Sequence, residues 1–465
     1  MPLARMLKHK IGLLAFLSFL AITCIPFFKS AFELEDAEQA YYSQWLRWGY
    51  DDQPPLYTWL QYVVNQVFGV QKISFSLLRG LIFAGILLLM GQFARNMDKD
   101  HKTAELAVLG LVLLPVFIDF AFRRLSHTSL LCLAILASFL VIQRLLHHKI
   151  WGNYVLLGLV VGIGMLSKYN YVLFFCAFGF ALFFDKGLRQ IVFNKKILLS
   201  VFIAVLLLVP HFHWLLGPDG YLLELRESIA LKTENSTKNT LNVIGPLFSL
   251  VLTLVKLMAP LLVVLALAFA FKKVTFCKPK PDWFTKFALA QLTILVLFFV
   301  VLNVQKVEER WLLPMVLPFM VLLFRSVEFK SVPKWSSYLF IMFLSVIALQ
   351  VARTPAEKVL GIPSSVHFGF EPVSKCLQKH ADKQWMLPYV TYGGNIRVLN
   401  PKKEIFSKDD FSLPKSKLQE QEMIEVVLGK ENLNGRIPLE QLFDFGKEKD
   451  TLFLVKFGGD AVFFE

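Results

Sequence analysis

Cysteine is scarce in this chain. The five present (Cys24, Cys132, Cys176, Cys277 and Cys376) are scattered over 465 residues. They show neither metal-ligand spacing nor a disulfide framework, which excludes a zinc module and a stapled secreted fold. Charge is scarce as well: 18% of residues are charged, against 55% hydrophobic and 14% aromatic. A soluble domain of this size is more polar, so the composition points to a polytopic α-helical membrane protein. A small-x-small cleavage site is missing after the first apolar run, where Ile25-Pro26-Phe27-Phe28-Lys29 stands. The run, preceded by Arg5, Lys8 and Lys10, is therefore expected to be a retained helix. His211 and His213 are spaced i, i+2, which a helix does not bring to one face, so they do not read as a metal pair. The Asn235-Ser236-Thr237 sequon carries meaning only in a cell that glycosylates asparagine.

What the chain has in abundance is apolar runs. Eleven candidate spans are expected: 11–28, 75–93, 104–122, 129–146, 154–166, 171–184, 197–216, 246–271, 287–304, 312–324 and 338–351. The net charge of +14 is concentrated in short segments between them, as a positive-inside topology requires, and not in a nucleic-acid-binding patch. The basic N-terminus is placed in the cytoplasm, and an odd number of crossings then puts the C-terminus outside. Residues 353–465 become a small extracytoplasmic α/β domain following a membrane domain over 1–352. In it, the region 372–380 reads as helix, 386–391 and 451–457 as strands, and Tyr392-Gly393-Gly394-Asn395 as a turn.

The densest chemistry lies in an outer loop at 29–74. Glu33, Glu35, Asp36 and Glu38 fall within six residues, and Glu35, Glu38 and Gln39 can share a helical face. Tyr41, Tyr42, Trp45, Trp48 and Tyr50 then supply the side chains of a membrane–water interface. Asp51-Asp52-Gln53-Pro54-Pro55 breaks the helix. Leu56, Trp59, Leu60, Val63, Val64 and Val67 recur at the spacing of an amphipathic surface helix.

The same scheme places Arg123, Arg124, Lys168 and Arg310 on the outer side. Lys168 sits between two spans too short for ordinary crossings, a costly place for an ammonium unless it faces a polar cavity. Carboxylates and fixed cations together suit sugar transfer from a phosphate-linked lipid. A hydroxyl needs a base to take its proton, and the leaving phosphate needs positive charge. The bland readings are a solvated acidic loop and snorkelling arginines.

Four segments carry a family resemblance. They are Glu35-Asp36-Ala37-Glu38-Gln39; Trp48-Gly49-Tyr50 through Gln53-Pro54-Pro55-Leu56 with Trp59; Leu166-Ser167-Lys168-Tyr169-Asn170; and Arg310-Trp311-Leu312-Leu313-Pro314. With Arg124-Leu125-Ser126-His127, the chain resembles the C-type membrane glycosyltransferases, in the branch of protein mannosyltransferases and lipid A aminoarabinose transferases. The resemblance implies an inverting transfer from a polyprenyl-phosphate sugar to an acceptor at the outer face of the inner membrane, with the aspartate of the acidic pair as base. The family order is Asp-Glu where this chain has Glu35-Asp36, so the base is Glu35 or Asp36, with the shorter aspartate favoured. Related enzymes place a lysine before the Pro-Pro, where Gln53 stands, and an aspartate in the second outer loop, where His127 stands.

The resulting expectation is a transferase with Glu35 or Asp36 as base. Lys168, Arg310, Arg123 and Arg124 hold the donor phosphate, and Gln53, Tyr50, His127 and Glu38 contact substrate. No metal site is expected. A divalent cation is the only cofactor the resemblance leaves open. The partners are a polyprenyl-phosphate sugar, a lipid or glycan acceptor and the membrane. The alternative is a non-catalytic polyprenyl-phosphate glycolipid carrier or flippase using the same charges. A secondary transporter ranks behind both, since no matching pair of broken helices recurs.

Overall fold

The computed structural model describes residues 10–98, 101–124, 126–217, 221–233, 243–413, 417–418, 423–433, 437–442 and 452–456. Arg5, Lys8 and the sequon at 235–237 lie outside them. Each of the eleven expected apolar segments holds helix. Seven helices are long and apolar enough to cross a membrane: Lys10–Phe28, Lys72–Met97, His127–His147, Ile197–Leu216, Ile244–Ala270, Trp283–Val301 and Val332–Val359. An eighth span arises if Tyr171–Ala181 and Lys186–Val192, bent by 113°, are taken together.

The remaining segments fall short for local reasons. The third ends its α-helix at Leu109, continues as a 3-10 turn over Gly110–Leu113, and becomes a π-turn at Phe117–Ala121. The tenth is cut into Glu309–Val316 and Phe319–Arg325, with Pro314 and Pro318 each withholding a backbone donor. Trp151–Ser167 is simply short.

The chain forms two compact units, 1–21, 52–57 and 79–350 in one, 22–51, 58–78 and 351–465 in the other. In the first, glycines set how closely helices approach. A Cβ on Gly162 would lie 2.6 Å from Leu207, and one on Gly158 2.6 Å from the Ser200 carbonyl oxygen. Small residues let the helices Trp151–Ser167 and Ile197–Leu216 pack backbone to backbone, the usual membrane solution. A short antiparallel pair, β1 (Val274–Phe276) and β2 (Val327–Phe329), closes two inter-helix turns.

The second unit is built on a five-stranded sheet of β3 (Gln384–Leu387), β4 (Ile405–Ser407), β5 (Met423–Leu428), β6 (Glu440–Leu442) and β7 (Leu452–Lys456), ordered β4-β3-β5-β7-β6. β3 runs parallel to β4 and β5, while β7 is antiparallel to β5 and β6. Strand alternation sends Trp385, Leu387, Ile424 and Val426 into one core with Val373, Leu377 and Ile396. Met386, Phe406 and Met423 enter another core, where they meet Tyr41, Tyr42, Trp45 and Tyr50.

That second core corrects the aromatic belt. Tyr41 is 0% exposed, Tyr42 5%, Trp45 8% and Tyr50 2%. They cover the sheet's second face, which a two-sided apolar sheet must bury. Only Trp48 of the five is exposed, at 55%. The expected turn at Tyr392–Asn395 is a correction too, because it lies inside a helix, Val390–Leu399. Its glycines serve close approach. A Cβ on Gly393 would meet the Tyr41 ring at 2.8 Å, and one on Gly394 would overlap the Ala37 carbonyl.

Candidate functional site

In the second unit the acidic residues form a nine-residue helix, Leu34–Tyr42. Glu33 is its N-cap residue, bound to Lys29 at 3.1 Å in a buried pair. Carboxylates in the first turn suit the positive end of the helix dipole. Asp36 is 4% exposed, whereas Glu35 and Glu38 are half-buried. The pair therefore meets two different environments, as residues about 100° apart on a helix must.

The helix is held at both ends by the Val390–Leu399 helix. Asn395 Oδ1 accepts from the Phe32 N–H at 2.7 Å. Arg397 donates to the Ala40 carbonyl and, at 3.1 Å, to Ser43 Oγ. Burial pulls the Arg397 pKa down to about 10, so it stays charged at neutral pH. Gln39 Oε1 accepts from Thr58 Oγ1 at 2.9 Å, tying in the surface helix Leu56–Phe68. Tyr41 hydroxyl donates to Asp410 at 3.2 Å, and burial among these groups pushes its pKa well above the phenolic value.

Tyr50, expected to touch substrate, uses its hydroxyl within its own turn. It donates to the Trp45 carbonyl at 2.6 Å and accepts from the Arg47 N–H at 2.8 Å. Arg47 pairs with Asp410 at 3.2 Å and lies 4.9 Å from the Tyr50 ring centroid. Sequence reasoning gave Arg47 no role. Its neighbours Trp45, Trp48 and Tyr50, the aromatics that attract a guanidinium, were the available signal.

The first unit holds the cations. Lys168 ends the helix Trp151–Ser167 and its Nζ donates to Thr128 Oγ1 at 2.8 Å. His127, starting the helix His127–His147, has Nδ1 3.3 Å from the Ser167 carbonyl oxygen and its ring 5.4 Å from that of Tyr57. Lys168, Thr128, His127 and Tyr57 thus form one cluster where two helices end. Gln53 donates to Asp52 Oδ1 at 3.1 Å, and its Oε1 is buried without a hydrogen-bond partner.

Beside Lys168, Tyr169 reaches His211 Nε2 at 3.1 Å, and a stack continues through Trp214 to Tyr221. Arg123 is buried, and its carbonyl accepts from Arg79. Arg124 pairs with Asp119 at 3.6 Å, both partly exposed. Asp119 was missed, although it is the one acid between Glu105 and Arg123. It sits in the π-turn, a feature frequent at functional sites. Arg310 is the second residue of Glu309–Val316, which packs on the His127–His147 helix. Among the described residues, no three His, Cys, Asp or Glu side chains gather as a metal-ion cluster.

Three comparisons bear on this arrangement. Residues 52–214 match the family described as dolichyl-phosphate-mannose-protein mannosyltransferase. That interval includes Gln53, Arg123, Arg124, His127 and Lys168, and leaves out Glu35, Asp36 and Arg310. The lipopolysaccharide core galacturonosyltransferase RgtB of Rhizobium johnstonii is 27% identical over 328 residues, 70% of this chain and 66% of that protein. RgtA of the same organism, also a lipopolysaccharide core galacturonosyltransferase, is 33% identical over 185 residues, 40% of this chain and 37% of the relative. The matches thus span less than two thirds of either relative. ArnT from Cupriavidus metallidurans, solved with undecaprenyl phosphate bound, superposes with a TM-score of 0.61 over 96% of this chain and 97% of ArnT, at 13% identity. The apo ArnT structure gives a TM-score of 0.58 over the same shares. Over residues 52–214 the chain is thus similar in sequence to the mannosyltransferase family, and over 96% of its length its fold is similar to that of ArnT.

Proposed function

We propose that the protein transfers a sugar from a polyprenyl-phosphate donor to a glycolipid of the lipopolysaccharide type, with inversion, at the outer face of the inner membrane. The observation that carries the reading is Lys168. It is an ammonium held by Thr128 at the break between two apolar helices, inside the stretch that matches a transferase family. A cation kept at the break between two apolar helices marks a polar, functional position. We assign it to the donor's lipid phosphate, which an ammonium binds by a charge-assisted hydrogen bond.

In the reaction, an Asp36 or Glu35 carboxylate takes the proton of the acceptor hydroxyl as its oxygen attacks the anomeric carbon. The bond from that carbon to the phosphate oxygen breaks on the opposite face, and the polyprenyl phosphate leaves with the electron pair. Lys168, Arg310, Arg123 and Arg124 are assigned to stabilise the charge that develops on the phosphate. The proton passes from the carboxylate to water. Glu38, Gln53 and His127 are assigned to orient the sugars, and Tyr50 fixes the turn after the acidic helix. In sequence we assign the transfer domain to 1–352 and the sheet domain to 353–465, with residues 22–51 and 58–78 of the former belonging to the compact unit that holds the sheet.

The test is transfer by the purified protein in liposomes. The donor is a polyprenyl-phosphate sugar from envelope extract and the acceptor is lipopolysaccharide, with product read by mass spectrometry. Transfer that depends on Asp36 or Glu35 is expected. Binding of undecaprenyl phosphate with no transfer to any envelope glycolipid would instead favour a carrier.

A further inference from the structure

The second unit contains a cavity of about 960 Å³. Its wall begins with Phe32 and Leu34, directly before the acidic pair. It continues over Glu357 and Lys358 at the end of the long helix Val332–Val359. It closes against the turn Ser365–His367 and the first residues of Val390–Leu399. The frame is rigid. Ser30 and Ala31 N–H groups both donate to the Val366 carbonyl, at 2.8 and 3.0 Å, and Asn395 holds Phe32.

Its lining combines three chemistries. Phe368, Phe370 and Tyr392 form an edge-to-face run with centroids 4.5 and 5.4 Å apart, offering apolar faces to sugar C–H bonds. Glu357 is aligned by Arg353 Nε at 2.8 Å, and His367 Nε2 lies 3.8 Å from its other oxygen. Neither ring nitrogen of His367 makes a hydrogen bond, though both are shielded from solvent. An imidazole always presents at least one N–H or lone pair that burial without a partner penalises. Lys358 adds a cation for an anionic substituent. At the rim, Val359, Leu360 and Ile362 are exposed by 85%, 71% and 49%. An apolar rim beside a polar, aromatic chamber suits an amphiphile with a saccharide head.

We propose that this cavity binds the saccharide headgroup of the acceptor glycolipid, with the acyl portion running over Val359, Leu360 and Ile362. The inference rests on the transferase reading and extends it to the acceptor. Leu34 lines the chamber and opens the helix that carries Glu35 and Asp36, so the bound headgroup lies beside the first turn of that helix.

The experiment measures binding separately from turnover. Two probes are titrated against detergent-solubilised full-length protein: intact lipopolysaccharide and undecaprenyl phosphate. Ser365→Trp fills the chamber from an exposed turn residue, and Lys358→Glu reverses an exposed charge. Each is expected to weaken lipopolysaccharide binding at least about tenfold. Undecaprenyl phosphate affinity should stay within about twofold of the parent. That retained affinity, with an unchanged melting temperature, shows the variants to be folded. Lipopolysaccharide affinity unchanged in both variants, or undecaprenyl phosphate affinity lost in their stead, overturns the assignment. A parent that binds lipopolysaccharide through this chamber yet transfers no sugar would uphold the site and refute the transferase reading.

Discussion

Asp36 and Glu35 are neighbours in sequence but not in environment. The aspartate is buried in the packed face of its helix, and the glutamate is half in solvent. A carboxylate on a short side chain in a buried position is better placed to act as base than one on a longer side chain with more rotatable bonds. Asp36→Asn is therefore expected to lower single-turnover transfer by roughly 10²–10⁴-fold, with Glu35→Gln costing less. Two amide variants that both turn over at the parental rate would leave the helix without a catalytic role. Lys168→Ala should weaken undecaprenyl phosphate binding by about 1.5–3 kcal/mol, the range of a charge-assisted hydrogen bond. Thr128→Val, which removes only the hydroxyl that steadies the ammonium, should weaken it less. Unchanged affinity in Lys168→Ala would show the lysine to be structural.

The element that decides the position of the carboxylates is the glycine-bearing helix Val390–Leu399. Gly394→Ala puts a methyl group into the Ala37 carbonyl, and overpacking of this kind costs about 1–3 kcal/mol. A lower melting temperature together with reduced transfer is expected, with lipid-phosphate binding preserved. A fully stable and active Gly394→Ala would show that the two helices can part freely. Much of this arrangement was legible in the sequence. The apolar runs, the acidic helix, the proline break and the surface helix all follow from local periodicity and from residues that cannot continue a helix. What local pattern could not reveal is long-range. Tyr41, Tyr42 and Trp45 have the chemistry of an interfacial belt, and only the sheet packed against them makes them core. Gly393-Gly394 is a turn signal by composition, and a helix-packing device once Ala37 and Tyr41 lie against it. The same holds for Arg47, whose partner Asp410 is 363 residues away.

At the scale of the whole molecule, the proposed orientation has a direct check. Reporter fusions after Arg353 should be active in the periplasm and those near Lys280 only in the cytoplasm. The reverse pattern would refute the assigned sidedness. One further consequence follows from the contact between Phe32 and Asn395, which are 363 positions apart. A chain is made from its N-terminus at about 5–20 residues per second. The acidic helix thus leaves the ribosome roughly 20–70 s before the helix that seats it. Throughout that interval the membrane helices can insert while the carboxylates have no fixed place. On the proposed reading, a protein cut after Ala352 keeps its membrane helices and their cations but lacks the helix that seats the carboxylates, and loss of transfer is expected.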